Sequence, residues 1–350
     1  MTVERRELVI IRALTLHVTR MDESYIEQEV SNFLEKIDDI KKELEIDTLR
    51  IVTPKVTGKE LENIASILQR HADSYGIDIF AIPLREISQP EKIADNLYEF
   101  PALYTSFEYK KEESTHIVEL LKTLSERSWI LPTRFAVSFG KLYTTPYFPA
   151  TTSEKEGVTA SLLYTELYRN NLHSIDVVKE KLYMIASMLE EAFSDFIGID
   201  YSLSPWMDYS VAEVVEMKSG VQFTLPGTIE AIININREIS TIAAHMGIGY
   251  NEIMLPLGED NRLKELALAG QLRFSHLLNY TTYCVAGLDM VPIPDTTDQS
   301  IIEGILKDLE AIHRRKGKTI GMRIIPVGAE EGEEVDLGIF GRVPVLSPLY

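Results

Sequence analysis

Short apolar runs rich in Ile, Val and Phe alternate along the chain with longer stretches in which apolar residues recur every three or four positions. The first pattern is that of a buried strand, the second that of an amphipathic helix. Residues 7–18 (ELVIIRALTLHV) predict a strand, and 22–44 a helix with Tyr25, Ile26, Val30, Phe33, Leu34, Ile37, Ile40 and Leu44 on one face. Strand 48–53 and helix 58–74 repeat the pair, with Leu61, Ile64, Ala65 and Leu68 toward the core. Strand 77–82, a helix near 112–126 and strand 134–139 follow, then an irregular Pro-containing stretch from Tyr143 to Gly157. The second half predicts helix 174–196, strand 197–203, helices near 209–218 and 227–246, and strand 252–256. Helices across 260–283, strand 287–293, helix 297–316 and strand 319–327 precede an acidic Gly-rich turn at 328–334. Strand and helix in alternation imply mostly parallel pairing with right-handed crossovers. No linker or internal repeat divides the chain, so residues 1–350 are expected to form one α/β unit.

Composition narrows the classes. A chain of 350 residues with 45% hydrophobic content can bury a large core. No apolar run reaches the roughly 18 residues of a membrane span, and Glu4, Arg5, Arg6 and Glu7 interrupt any signal-peptide core, so the cytoplasm is the expected address. The formal charge of −19 opposes binding to a phosphate backbone and sets nucleic acid aside. The local basic run His313-Arg314-Arg315-Lys316, with Lys318, reads as a solvated helix end complementing the helix dipole. One cysteine, Cys284, leaves no internal disulfide and no Cys-rich metal site.

Familiar catalytic motifs fail on inspection. Gly247-Ile248-Gly249 lacks the third glycine of a dinucleotide fingerprint, and Gly317-Lys318-Thr319 has Ile312 where a phosphate-binding loop needs glycine. G-x-S-x-G, H-E-x-x-H and C-x-x-C are absent from the sequence.

The sharper signal is charge inside strands. Arg12, Arg50, Asp200, Asp289 and Arg323 each interrupt a short apolar run. An unpaired charge in a strand covered on both faces suffers a large desolvation penalty, so these five need partners. Mutual pairing around one interior cavity is the cheapest arrangement, three guanidiniums against two carboxylates with positive charge to spare for an anionic ligand. Asp200 and Asp289 are the candidate acid–base residues or ligands of a divalent ion, Mg²⁺ or Mn²⁺; Arg12, Arg50 and Arg323 are the candidate anion binders. The bland reading is that each residue reaches solvent at a strand end or forms a structural ion pair. Of the rest, Asp260 reads as the N-cap of the helix that follows Glu259-Asp260. His17 ends the first strand and is structural or a base; Cys284 is a small buried hydrophobe.

In order along the chain, IRALTLHV (11–18), LRIVTP (49–54), PYFPATTSEKEG (146–157), IDYSLSP (199–205), LPLGEDNRL (255–263), YCVAGLDMVPIPDTT (283–297), RIIPVGAEEG (323–332) and GRVPVLSP (341–348) resemble the domain of unknown function 711, also filed as uncharacterised protein family 0210. Pro294-Asp295-Thr296 lacks the glycine usual there. The resemblance implies a closed α/β barrel of two parallel half-sheets, similar to the pyruvate formate-lyase-like glycyl radical enzymes. It does not carry their chemistry: Arg342-Val343-Pro344-Val345-Leu346 has no glycine to hold a radical, so no glycyl radical is expected. These readings together predict a non-radical enzyme acting on a small anionic metabolite inside the barrel, the rival being a non-catalytic metabolite-binding regulatory protein. A homodimer is the expected assembly, as the commonest closed symmetry.

Overall fold

The computed structural model describes residues 9–349, so the charges of Glu4 to Glu7 and the first two positions of the expected strand 7–18 lie outside the described residues. Ten strands carry the architecture: β1 Ile10–His17, β2 Leu49–Val52, β3 Ile79–Ala81, β4 Leu103–Glu108, β5 Phe135–Phe139, β6 Gly157–Leu163, β7 Phe196–Asp200, β8 Val291–Pro294, β9 Ile320–Met322 and β10 Ile324–Val327. Eight form one sheet in the order β7-β6-β1-β2-β3-β4-β5-β9, and β8 pairs β10 beside it. β1 to β5 run parallel, as do β6 and β7; β1 meets β6, and β5 meets β9, antiparallel. The α/β alternation is therefore correct, and β4, β6 and the helix Pro90–Glu99 are additions that the sequence pattern did not announce.

Period-two alternation sorts the strand residues by face. Leu14, Leu16, Leu49, Ile51, Phe80, Leu103, Phe107, Phe135, Val137, Val158 and Ala160 belong to the main apolar cluster beneath the helices. The helix Glu23–Ile40 supplies Tyr25, Ile26, Val30, Phe33, Ile37 and Ile40 to that layer, with Asp22 capping its start. Between the apolar positions stand Ala13, Thr15, His17, Ser106, Ser138, Thr159 and Ser161, all buried but outside that cluster. Against this inner, polar face lies the irregular stretch 143–157. Thr145 reaches Asp200 of β7, Phe148 packs edge-on against Tyr104 of β4, and Pro149 sits over Gly321 of β9.

A closed barrel of strands is not found. Among the described residues the ladder ends at β7 and β9. Irregular chain crosses between them by single hydrogen bonds: Met254 N–H to Leu203 O (3.0 Å), Leu255 N–H to Ala286 O (2.8 Å) and Gly321 N–H to Val285 O (3.1 Å). The expected strand 252–256 is thus reduced to bridges at Ile253 and Met254, and the expected strand 287–293 is irregular until β8 starts at Val291. The cause is local: left-handed backbone at Asn251 and Met290, and Pro256 without an amide donor, interrupt any extended ladder. Arg323 likewise splits the expected strand 319–327 into β9 and β10, which pair with different partners. Among the described residues no helix is long and apolar enough to cross a membrane.

A Cβ at Gly321 would lie 2.2 Å from Pro149 Cγ, whereas one at Gly304, inside the helix Gln299–Lys316, would meet nothing within 4 Å. Gly321→Ala should therefore lower the urea midpoint by the equivalent of about 1–3 kcal/mol. Gly304→Ala should raise it by up to about 1 kcal/mol through helix propensity. Equal effects of the two would show that the stretch 143–157 does not press on the sheet.

Candidate functional site

β1 carries the first site residue through an irregularity. Opposite β6, Ile11 faces Leu162 and Ala13 faces Ser161, leaving Arg12 as an unpaired extra residue. Ile11 and Leu14 both belong to the outer apolar layer although three positions apart, which a regular strand does not allow. The bulge takes up the odd residue and turns Arg12 inward. On β2 no device is needed: Arg50 stands between the outward Leu49 and Ile51. Arg323 occupies the break between β9 and β10, and Asp289 the irregular approach to β8.

Arg12, Arg50, Asp289 and Arg323 line one cavity of about 170 Å³. Arg323 is bound bidentately by Asp289, at 2.6 and 2.7 Å, and gives a third bond to Glu259 at 3.1 Å. Arg12 pairs with Asp47 at the rim, approaches Glu259 at 3.7 Å and lies with its guanidinium 3.9 Å from the centre of the Trp206 ring. Arg50 differs. Its bonds go to Thr48 Oγ1 (2.9 Å) and Pro146 O (3.3 Å), and among the described residues it has no carboxylate within 4 Å. Burial and the neighbouring Arg12 charge bring its pKa down to about 10, still charged at neutral pH. Burial raises the Asp289 carboxyl and Arg323 counters it. At Arg323 burial opposes the charge, but Asp289 and Glu259 outweigh it and raise its pKa. The remaining wall is largely aromatic, including Tyr104, Tyr147, Phe148 and Tyr250.

Asp200, the fifth of the set, does not line the cavity. Fully buried, it accepts from Ser202 N and Oγ (3.0 and 2.6 Å), Thr145 Oγ1 (3.1 Å), Tyr250 N (2.8 Å) and Asn251 N (3.2 Å). A Cβ at Gly249 would sit 2.2 Å from its Oδ2, so the turn 249–251 closes on Asp200 only because Gly249 has no side chain. Asp200 thus fixes the backbone of Tyr250, a wall of the cavity, from behind. Burial raises its pKa and these donors oppose the rise.

Sequence reasoning missed Glu259, Asp47, Trp206 and Tyr250. Glu259 carried a signal in its place beside Asp260, whose side chain accepts from Arg262 and Leu263 as an N-cap and also from Val211 and Ala212 at the start of a second helix. The Tyr250 hydroxyl is fully enclosed, beside the Ala150 backbone. His17 is buried, its Nε2 2.8 Å from Thr159 Oγ1, and desolvation lowers its pKa to about 3. Cys284 is fully buried with its thiol pushed up to about 12 by burial, a poor nucleophile. The basic run is not wholly solvated. Lys316 is buried against Glu252 at 2.6 Å, shared with Lys318 at 2.7 Å, because Gly317 ends the helix and folds the chain back.

A family model described as Uncharacterised ACR (DUF711) matches residues 112–338, more than half of the chain. Proteins named UPF0210 protein are similar over shorter stretches. The one from Oenococcus oeni is 33% identical over 193 residues, 49% of this chain and 43% of its own length. The one from Clostridium beijerinckii is 35% identical over 157 residues (43% and 35%), and the one from Methanospirillum hungatei 29% over 177 (47% and 39%). The matched part of this chain spans less than half the length of each of these relatives. The family match holds Asp200, Tyr250, Glu259, Asp289 and Arg323, and ends short of Arg12 and Arg50.

Asp289→Asn leaves Arg323 buried with Glu259 alone, and the fold should lose about 3 kcal/mol in denaturant titrations. A loss below about 1 kcal/mol would mean that the pair contributes no more than its surface counterparts. His17 offers a pH readout. Its folded pKa lies below the unfolded value of 6.5, so its contribution is full above pH 6.5 and is lost as pH falls toward 3, by about 1.4 kcal/mol per unit. Urea unfolding of the wild type and of His17→Gln at pH 7, 6 and 5 should differ in slope by one proton; parallel slopes would place a charged His17 in the fold.

Proposed function

We propose, for a chain that belongs to the DUF711 family of uncharacterised proteins and must be read from its own site, a non-radical enzyme acting on a small anionic metabolite held in the cavity of Arg12, Arg50 and Arg323. The observation that carries this reading is the convergence of Arg12, Arg50, Asp289 and Arg323 on one cavity, with the Arg50 guanidinium lacking a carboxylate partner among the described residues. A planar guanidinium with free N–H groups is matched to a carboxylate or other planar oxyanion. In this reading Arg50 takes the anion, Arg12 and Arg323 flank it, and Asp289 with Glu259 handles the proton. Asp200, placed behind Tyr250, acts as a positioning residue rather than at the reacting atoms.

A non-catalytic metabolite-binding regulator is the second reading. It is favoured by one observation: Asp47, Glu259 and Asp289 all already accept from guanidiniums, which weakens each as a base. The resemblance to pyruvate formate-lyase-like barrels, a homodimer and a cytoplasmic setting belong to the same proposal. The antiparallel junction of two parallel strand groups supports the first of these.

A thermal-shift screen of small carboxylates and phosphate, with and without Mg²⁺ or Mn²⁺, followed by turnover assays on any hit, separates the readings. Product formation supports the enzyme, and a saturable shift without product supports the regulator. Arg50→Gln should abolish the shift while keeping the unliganded melting temperature within a few degrees. An unchanged shift in that variant, or no shift with any anion, would remove the anion site itself.

A further inference from the structure

The charges around the cavity narrow the ligand beyond "anion". Against Arg12, Arg50 and Arg323 stand Asp47, Glu259 and Asp289, three of each sign. The surplus positive charge expected from the sequence is therefore cancelled. What remains is local: Arg12 and Arg323 are each satisfied by two carboxylates, while Arg50 is satisfied by none. One open guanidinium in a neutral cavity suits a single negative charge. A dianion would bring a second charge into a space whose other cations are already neutralised, with the desolvation of that charge uncompensated.

Size and lining point the same way. About 170 Å³ lies below the roughly 300–1,000 Å³ of drug-sized sites, and close to the roughly 150 Å³ that holds a benzene ring in an apolar protein cavity. Tyr104, Phe148 and Trp206 give the body of the ligand an aromatic wall.

We infer that the cavity takes a monocarboxylate with a short apolar or aromatic body, its carboxylate on Arg50. This rests on the reading of the cavity as an anion site. A matched comparison tests it by calorimetric titration of the intact chain. Butyrate and succinate have the same carbon skeleton and differ by one carboxylate; benzoate carries a single carboxylate on an aromatic body. Inorganic phosphate serves as the compact oxyanion. Butyrate should bind at least tenfold more tightly than succinate or phosphate. Benzoate should likewise bind at least tenfold more tightly than succinate or phosphate, and binding of both monocarboxylates should be lost in Arg50→Gln. Succinate or phosphate binding as tightly as butyrate, yet lost in Arg50→Gln, would overturn the monocarboxylate class and leave the anion site standing. Binding by none of these probes would overturn both.

Discussion

The buried guanidinium of Arg323 is the constraint around which the second half of the fold is arranged. It stands where an expected single strand divides, its backbone amide bonded to Leu288 O and its carbonyl to Val291 N–H. Its side chain then takes Asp289 and Glu259 together, so the eight-stranded sheet, the small sheet and the segment before residue 261 meet at one group. Three parts of the chain far apart in sequence are held to one geometry. The alternative, a buried charge left unpaired, would cost several kcal/mol.

The outer layer was legible in the sequence because apolar periodicity reports burial under helices, and Tyr25, Ile26, Val30 and Phe33 fall where the pattern puts them. The inner layer was not. Strand β6 reads GVTASLL, with Thr159 and Ser161 facing polar chain rather than a helix, so its alternation carries too little hydrophobic contrast to stand out. The open edge was equally hidden, since it depends on left-handed backbone at Asn251, where asparagine's tendency toward that region is weak on its own, and at Met290, which has no such tendency.

For the site, the rule that charge within an apolar run needs a partner found Arg12, Arg50, Asp289 and Arg323. It placed Asp200 with them wrongly as a cavity residue, because the same rule cannot tell a carboxylate facing guanidiniums from one facing backbone amides. Both satisfy a buried charge. Glu259 and Asp47 lie outside strands, beyond the reach of that rule, and their presence turns an apparently basic cavity into a neutral one.

Asp260 has a mechanical consequence. One carboxylate receives amides from the first turns of both Val211–Ser219 and Asn261–Leu268, so the two helices are riveted at their origins and behave as a single stiff bracket. Glu259 is the next residue on that bracket. The cavity wall it forms is therefore set before any ligand arrives, and little ordering entropy remains to be lost there on binding. The same bracket reaches the rim: Lys264 donates at 2.7 Å to Phe340 O in the three-residue turn Gly338–Phe340, which ends at Gly341 in a backbone conformation open almost only to glycine and leaves Ile339, a lining residue, 73% exposed.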